Sequence, residues 1–154
     1  RNMALGPRSL AQGVAPIDVD YVTGCAMLLR RQALERVGVF DPSYRMYYED
    51  LDLCQRMRQA GYRVLVAPRA HMWHLVARTS AREPALNRYY HTRNRWRFYM
   101  QYTRGPLRVW ATLFLLLQEA GRALAYVVQG KWGLAKAQSK ALAEGLFGRR
   151  NELL

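Results

Sequence analysis

The chain has 154 residues, with 24 Lys and Arg against 11 Asp and Glu and a formal net charge of +13. That length and a hydrophobic share of 51% suit one packed domain and exclude a disordered chain. The two cysteines, Cys25 and Cys54, have no metal-ligand spacing and make no disulfide framework, so both read as small buried hydrophobes. Residues 1–53 hold six Arg and seven acids, whereas residues 54–154 hold eighteen basic residues and four acids. A basic C-terminal half points to an anionic partner: nucleic acid, a phosphorylated substrate or membrane headgroups.

Residues 1–16 read as a loop or a cut edge. The chain opens on Arg1 without a signal peptide, which suits a fragment or an excised domain. The apolar and β-branched run Val19–Arg30 predicts a buried strand interrupted at Gly24. "RQALERVG" predicts a short helix ended by Gly38, and Asp41-Pro42 a turn. "RMYYEDLDLCQRM", Arg45–Met57, opens a second helix that Gly61 stops. "YRVLVAP", residues 62–68, predicts a strand, and the residues after it a loop. A long helix is expected from about Ala85 to Tyr102, with a break at Gly105-Pro106. A further helix follows, whose apolar core from Val109 to Leu117 is too short to span a bilayer; an interfacial or packed amphipathic helix is expected. The tail holds all three lysines and reads as a basic amphipathic helix. The order implies an α/β domain edge followed by a helical extension.

Glu49, Asp50 and Asp52 concentrate three of eleven acids in four positions. One use is capping and complementing a helix N-terminus. The other is a general base at that terminus, accepting a proton from a substrate hydroxyl beside Tyr47 and Tyr48, which offer a platform for a sugar or pack as core. His71 and His74 follow a strand, three apart; without a nearby acid they are a weak metal signal. In "RYYHTRNRWRFYMQYTR", residues 88–104, basic residues interleave with aromatics, as in a nucleic-acid groove or as in a helix with an aromatic core face. Arg93, Arg95 and Arg97 do not share one helical face. "DVD", residues 18–20, has the form of an Asp-x-Asp metal motif.

In combination, the Thr-Gly strand, "VGVFD", Glu-Asp followed by Asp-Leu-Cys, "AGYRV", Pro-x-Ala and then His resemble the C-terminal half of the catalytic domain of family 2 glycosyltransferases, nearest the rhamnosyltransferase-type enzymes of bacterial cell-surface polysaccharide synthesis. The resemblance covers roughly residues 18–100, with residues 1–104 as the C-terminal half of the domain and 105–154 as a helical tail. It implies a GT-A (Rossmann-like) fold and inverting transfer from a nucleotide-sugar donor to a polysaccharide or lipid-linked acceptor. It implies a divalent cation, Mg²⁺ or Mn²⁺. Asp50 matches the catalytic base, with Glu49 bonding acceptor or donor, and His74 matches the His that completes the metal site. Thr23, Gly24 and Cys25 would line the sugar pocket with Tyr48 nearby, and Arg93 would meet the diphosphate. The family's own Asp-x-Asp and nucleotide-binding half would lie upstream of residue 1, which makes "DVD" a decoy and the chain alone inactive. A cytoplasmic location, peripheral at the inner face of the bacterial plasma membrane and on anionic lipid, would follow, with no nucleic acid expected. The alternatives are a basic nucleic-acid-binding module and a non-catalytic membrane-associated scaffold.

Overall fold

A computed structural model describes residues 15–73 and 83–147. They form two compact units, one from residues 15–42 and 49–73, the other from 43–48 and 83–147.

The first unit is a small α/β layer. Strand β1, Ile17–Asp18, pairs antiparallel with β2, Leu65–Val66, in the register Ile17 to Val66 and Asp18 to Leu65. Helix α1, Arg31–Val37, ends at Gly38, whose N–H still donates to Leu34 O at 2.7 Å and whose φ of 81° then turns the chain out of the helix. Only a residue without Cβ takes that conformation cheaply. Helix α2, Glu49–Gln59, is closed the same way by Gly61, φ 87°. Its inward side, Leu53, Cys54 and Met57, packs with Ala33 and Val64 as the core, and Val19, Val22, Leu29 and Leu34 pack around it. These positions fall on one stripe of α2, as their spacing predicts.

Three expectations are corrected. Val19–Arg30 is not a strand: a bond from Val19 N to Val64 O continues the pairing, after which the chain runs extended and turns at Gly24. A β-prone sequence becomes a strand only where another backbone takes its hydrogen bonds, and Leu28 is fully exposed instead. The strand read over 62–68 shortens to Leu65–Val66 for the same reason. Cys25 is exposed, because the turn at Gly24 lifts it off the core that buries Cys54.

The second unit is three helices, α3 (Pro84–Tyr102), α4 (Gly105–Val128) and α5 (Trp132–Phe147), together with the segment 43–48. Pro84 starts α3, where a missing N–H costs nothing. Helix α5 packs most extensively on α3. Gly145 allows it: a Cβ there would fall 3.1–3.2 Å from Trp96, which is 3% exposed. Helix α3 groups with the helices after Gly105, so the Gly-Pro pair marks the α3–α4 turn within one packed unit.

Helix α4 buries Ala111, Leu115 and Glu119, at i, i+4 and i+8. Trp110, Leu113, Leu117, Leu124 and Val128 lie on its other side and are each more than 60% exposed. The helix is continuous for 24 residues and is long and apolar enough to cross a membrane by length and composition, exceeding the nine-residue apolar core seen in the sequence. The polar break at Glu119 does not interrupt it, because that carboxylate is paired with Arg88 at 2.6 Å, with Arg95, and with Arg122 at 3.2 Å.

Candidate active site

In the first unit, α2 places Glu49, Asp50 and Asp52 in its first turn, each in a different setting. Asp52 is fully buried and accepts from Arg56 Nε at 2.8 Å. The same guanidinium donates to Val37 O at 2.6 Å and Val39 O at 2.8 Å. Asp52 thus orients an arginine that ties α2 to the end of α1. Breaking such a buried pair by removing one partner is strongly destabilising.

Asp50 is only partly buried, and its carboxylate is fixed by two backbone donors. Oδ2 accepts the Gly24 N–H at 2.9 Å and Oδ1 accepts the Leu51 N–H at 2.8 Å. Each oxygen keeps a lone pair for another partner. A Cβ at Gly24 would lie 3.6 Å from Asp50 Cβ, an ordinary contact, so Gly24 contributes its N–H rather than its missing side chain. Thr23 Oγ1 and Cys25 Sγ are 3.0 Å apart and exposed on either side of it. Thr23, Gly24, Cys25 and Asp50 are therefore brought together. Glu49 sits beside Asp50 with Oε2 buried and unpartnered. Burial pushes its pKa up, and the Asp50 charge adds to this.

Among the described residues no three His, Cys, Asp or Glu side chains converge. Asp52 is paired with Arg56 and Asp50 is bound to two N–H groups, so these residues do not supply a cation's ligand set. His74 lies outside the described residues, and His71 is exposed. The "DVD" acids are paired with arginine, Asp18 with Arg63 (Nε to Oδ1, 3.0 Å) and Asp20 with Arg58. They line an open groove of about 520 Å³ together with Tyr62 and Val64.

In the second unit the segment before α2 is strained. Arg45, Tyr47 and Tyr48 take φ of 58°, 66° and 73°, a left-handed region that residues other than glycine occupy at a cost. Asn94, fully buried in mid-α3, holds this shape: its Nδ2 donates to Tyr44 O, Met46 O and Tyr47 O at 2.7, 2.6 and 2.9 Å. Arg93, also buried, donates to Ser43 O at 2.7 Å and Tyr44 O at 3.2 Å. The tyrosines are set by α3 as well. Tyr47 stacks on His91 at 3.9 Å and donates to Asn87 Oδ1, while Tyr48 meets His91 and Phe98 edgewise or tilted. Sequence reading named Arg93 and Tyr48 but missed Asn94. The available signal was a poor helix former in the middle of a long helix.

The remaining cations of that run also work internally, Arg95 on Glu119 and Arg97 over the Tyr44 ring at 5.2 Å.

The α/β unit thus carries a helix-start carboxylate, Asp50, fixed against the Thr23-Gly24 turn, and a helical unit follows it in the chain. Residues 7–136 match the model of "Glycosyl transferase family group 2", and the chain belongs to that family. It is 35% identical over 94 residues to the N-acetylglucosaminyl-diphospho-decaprenol L-rhamnosyltransferase of Mycobacterium tuberculosis, covering 58% of this chain and 31% of that protein. It is 45% identical over 56 residues to the rhamnosyltransferase WbbL of Escherichia coli, covering 36% of this chain and 21% of that protein. The chain thus spans less than a third of these relatives. No solved structure matches it.

Proposed function

We propose that this chain is the acceptor-side part of a GT-A-type inverting glycosyltransferase. It would act in cell-envelope polysaccharide or glycolipid synthesis, moving a sugar from a nucleotide-sugar to the hydroxyl of a polysaccharide or lipid-linked acceptor. The observation that carries this is the Asp50 carboxylate, fixed by Gly24 N–H and Leu51 N–H at 2.9 and 2.8 Å. A base must be held within hydrogen-bond reach of the proton it takes. As the acceptor oxygen bonds to the anomeric carbon, its proton passes to Asp50, and the bond from that carbon to the diphosphate oxygen breaks on the opposite face. Glu49, whose pKa burial and then the Asp50 charge push up, has an unpartnered buried oxygen and would hydrogen-bond the acceptor or donor. Thr23 and Cys25 flank the same turn and would contact the sugar. Arg93 would act by holding the segment that carries Tyr44–Tyr48. A divalent cation, Mg²⁺ or Mn²⁺, would neutralise the leaving diphosphate; this chain's contribution to it would be His74.

The exposed apolar side of α4, with Arg104, Arg108 and Lys131 at its two ends, fits peripheral attachment to anionic lipid at the inner face of the bacterial plasma membrane. Lying on the membrane is favoured over crossing it, because Glu119 is tied to Arg88 and Arg95 of α3. Drawing α4 through the hydrocarbon would carry those charges with it or break the pairs. Against the nucleic-acid reading, Arg93 donates to Ser43 O and Tyr44 O and Arg97 lies over the Tyr44 ring.

The test is transfer by the protein as encoded, with any residues that precede Arg1, using nucleotide-sugars and a diphospholipid-linked sugar acceptor. The expected product has the anomeric configuration opposite to the donor's by NMR. A product with retained configuration would overturn the assignment.

A further inference from the structure

We propose that Arg88, Arg95 and Arg122 form a subsite for a diphosphate group, gathered around Glu119. Three guanidinium groups meet one carboxylate, so the cluster carries a surplus of two positive charges. Glu119 is 2% exposed, and the arginine side chains are 14%, 18% and 33% exposed. Like charges held together at partly dry positions repel, and an anion removes that repulsion. A second observation points the same way: Arg88 Nε is buried and has no partner, and a donor left so has a place for an acceptor. A diphosphate group, with at least one ionised oxygen per phosphorus, meets the surplus in charge, and planar guanidinium forks suit its oxygens.

Placement supports it. Arg88, His91 and Arg95 are spaced i, i+3 and i+7, which puts them on one face of α3. Arg122 and Glu119 are spaced i, i+3 on α4. The amide of Gln138 from α5 donates to Glu119 O at 2.6 Å and steadies α4 at that point. His91 feels the same cations: desolvation first, then Arg88, Arg95 and Arg122, push its pKa below the ordinary histidine value. Its ring is stacked on Tyr47, so a ligand here would lie beside the segment that leads into Glu49 and Asp50 along the chain.

The inference rests on the transferase reading for its choice of ligand, and two sources share this chemistry. One is the diphosphate of a lipid-linked acceptor; the other is that of the nucleotide-sugar. Binding is therefore measured without transfer, so the result stands whether or not Asp50 proves to be a base. Inorganic pyrophosphate, farnesyl diphosphate and dTDP are titrated into the whole chain by calorimetry at low and moderate salt. Binding that weakens with salt is expected, and Arg122→Gln, which leaves Glu119 with two partners, should weaken it on the order of tenfold. Glu119→Gln should act in the opposite direction and tighten it. A bound diphosphate should also raise the His91 pKa, read from its ring proton by NMR. Preference for farnesyl diphosphate assigns the acceptor, and preference for dTDP assigns the donor. No pyrophosphate binding, or equal binding by wild type and Arg122→Gln with an unmoved His91 titration, would overturn the proposal and leave the cluster a structural brace. If Glu119→Gln does not fold, Arg122→Gln and the His91 titration decide.

Discussion

Asn94→Ala tests whether the segment before α2 is held by α3 or holds itself. The side-chain amide has two hydrogens shared among three carbonyls at 2.6–2.9 Å. Asn94 is fully buried, so water does not readily replace it. Two net hydrogen bonds are worth about 1 kcal/mol each, and a buried acceptor left unsatisfied costs about 1–3 kcal/mol. Against this, Arg45, Tyr47 and Tyr48 would be released from left-handed φ angles that cost of order 1 kcal/mol or more each, so part of the loss returns as relaxation. The net expectation is about 2–3 kcal/mol of destabilisation of the helical unit by urea unfolding. Faster proteolysis between residues 44 and 48 should accompany it. A loss under about 0.5 kcal/mol, with cleavage unchanged, would refute the reasoning and show the tyrosine segment to be self-supporting.

Arg56→Met removes a buried charge partner of Asp52 and two carbonyl bonds to the end of α1; urea unfolding should show a loss of about 3–5 kcal/mol. Gly24→Ala keeps the N–H that Asp50 accepts and adds only ordinary contacts to Asp50, so stability by urea unfolding should stay within about 0.5 kcal/mol. Glu49 has a folded pKa raised above 4.5 by burial first and the Asp50 charge after. Its contribution is full below the unfolded pKa and lost as pH rises through the folded one. Glu49→Gln should therefore raise the thermal midpoint relative to wild type at pH 7, and the difference should vanish near pH 4.

Much of the fold is legible where local rules decide it. Gly38 and Gly61 end their helices because a positive φ is needed there, and both stops were readable from glycine after an amphipathic run. The three acids of α2 could be located but not told apart from sequence. What separates Asp50 from Asp52 is an N–H from Gly24, twenty-six residues away, against a guanidinium four residues on. Val19–Arg30 misleads because strand propensity says nothing of the partner. Cys25 misleads because one turn reverses which side chain faces the core. The resemblance implied a diphosphate contact for Arg93; that its donors reach carbonyls about fifty residues back was not visible in the sequence. Such long-range pairings leave no local pattern, and Glu119 shows the same: polar in an apolar run, yet the centre of an ion cluster joining two helices.

The central claim is that Asp50 removes the acceptor proton, and the direct measurement is Asp50→Asn in the protein as encoded. Asparagine keeps one oxygen, for either the Gly24 N–H or the Leu51 N–H, and removes the base. The rate of sugar transfer should fall roughly 10²–10⁴-fold while the donor dissociation constant stays within about twofold of wild type. A variant that transfers at the wild-type rate, or that fails only because donor binding is lost, would contradict the account.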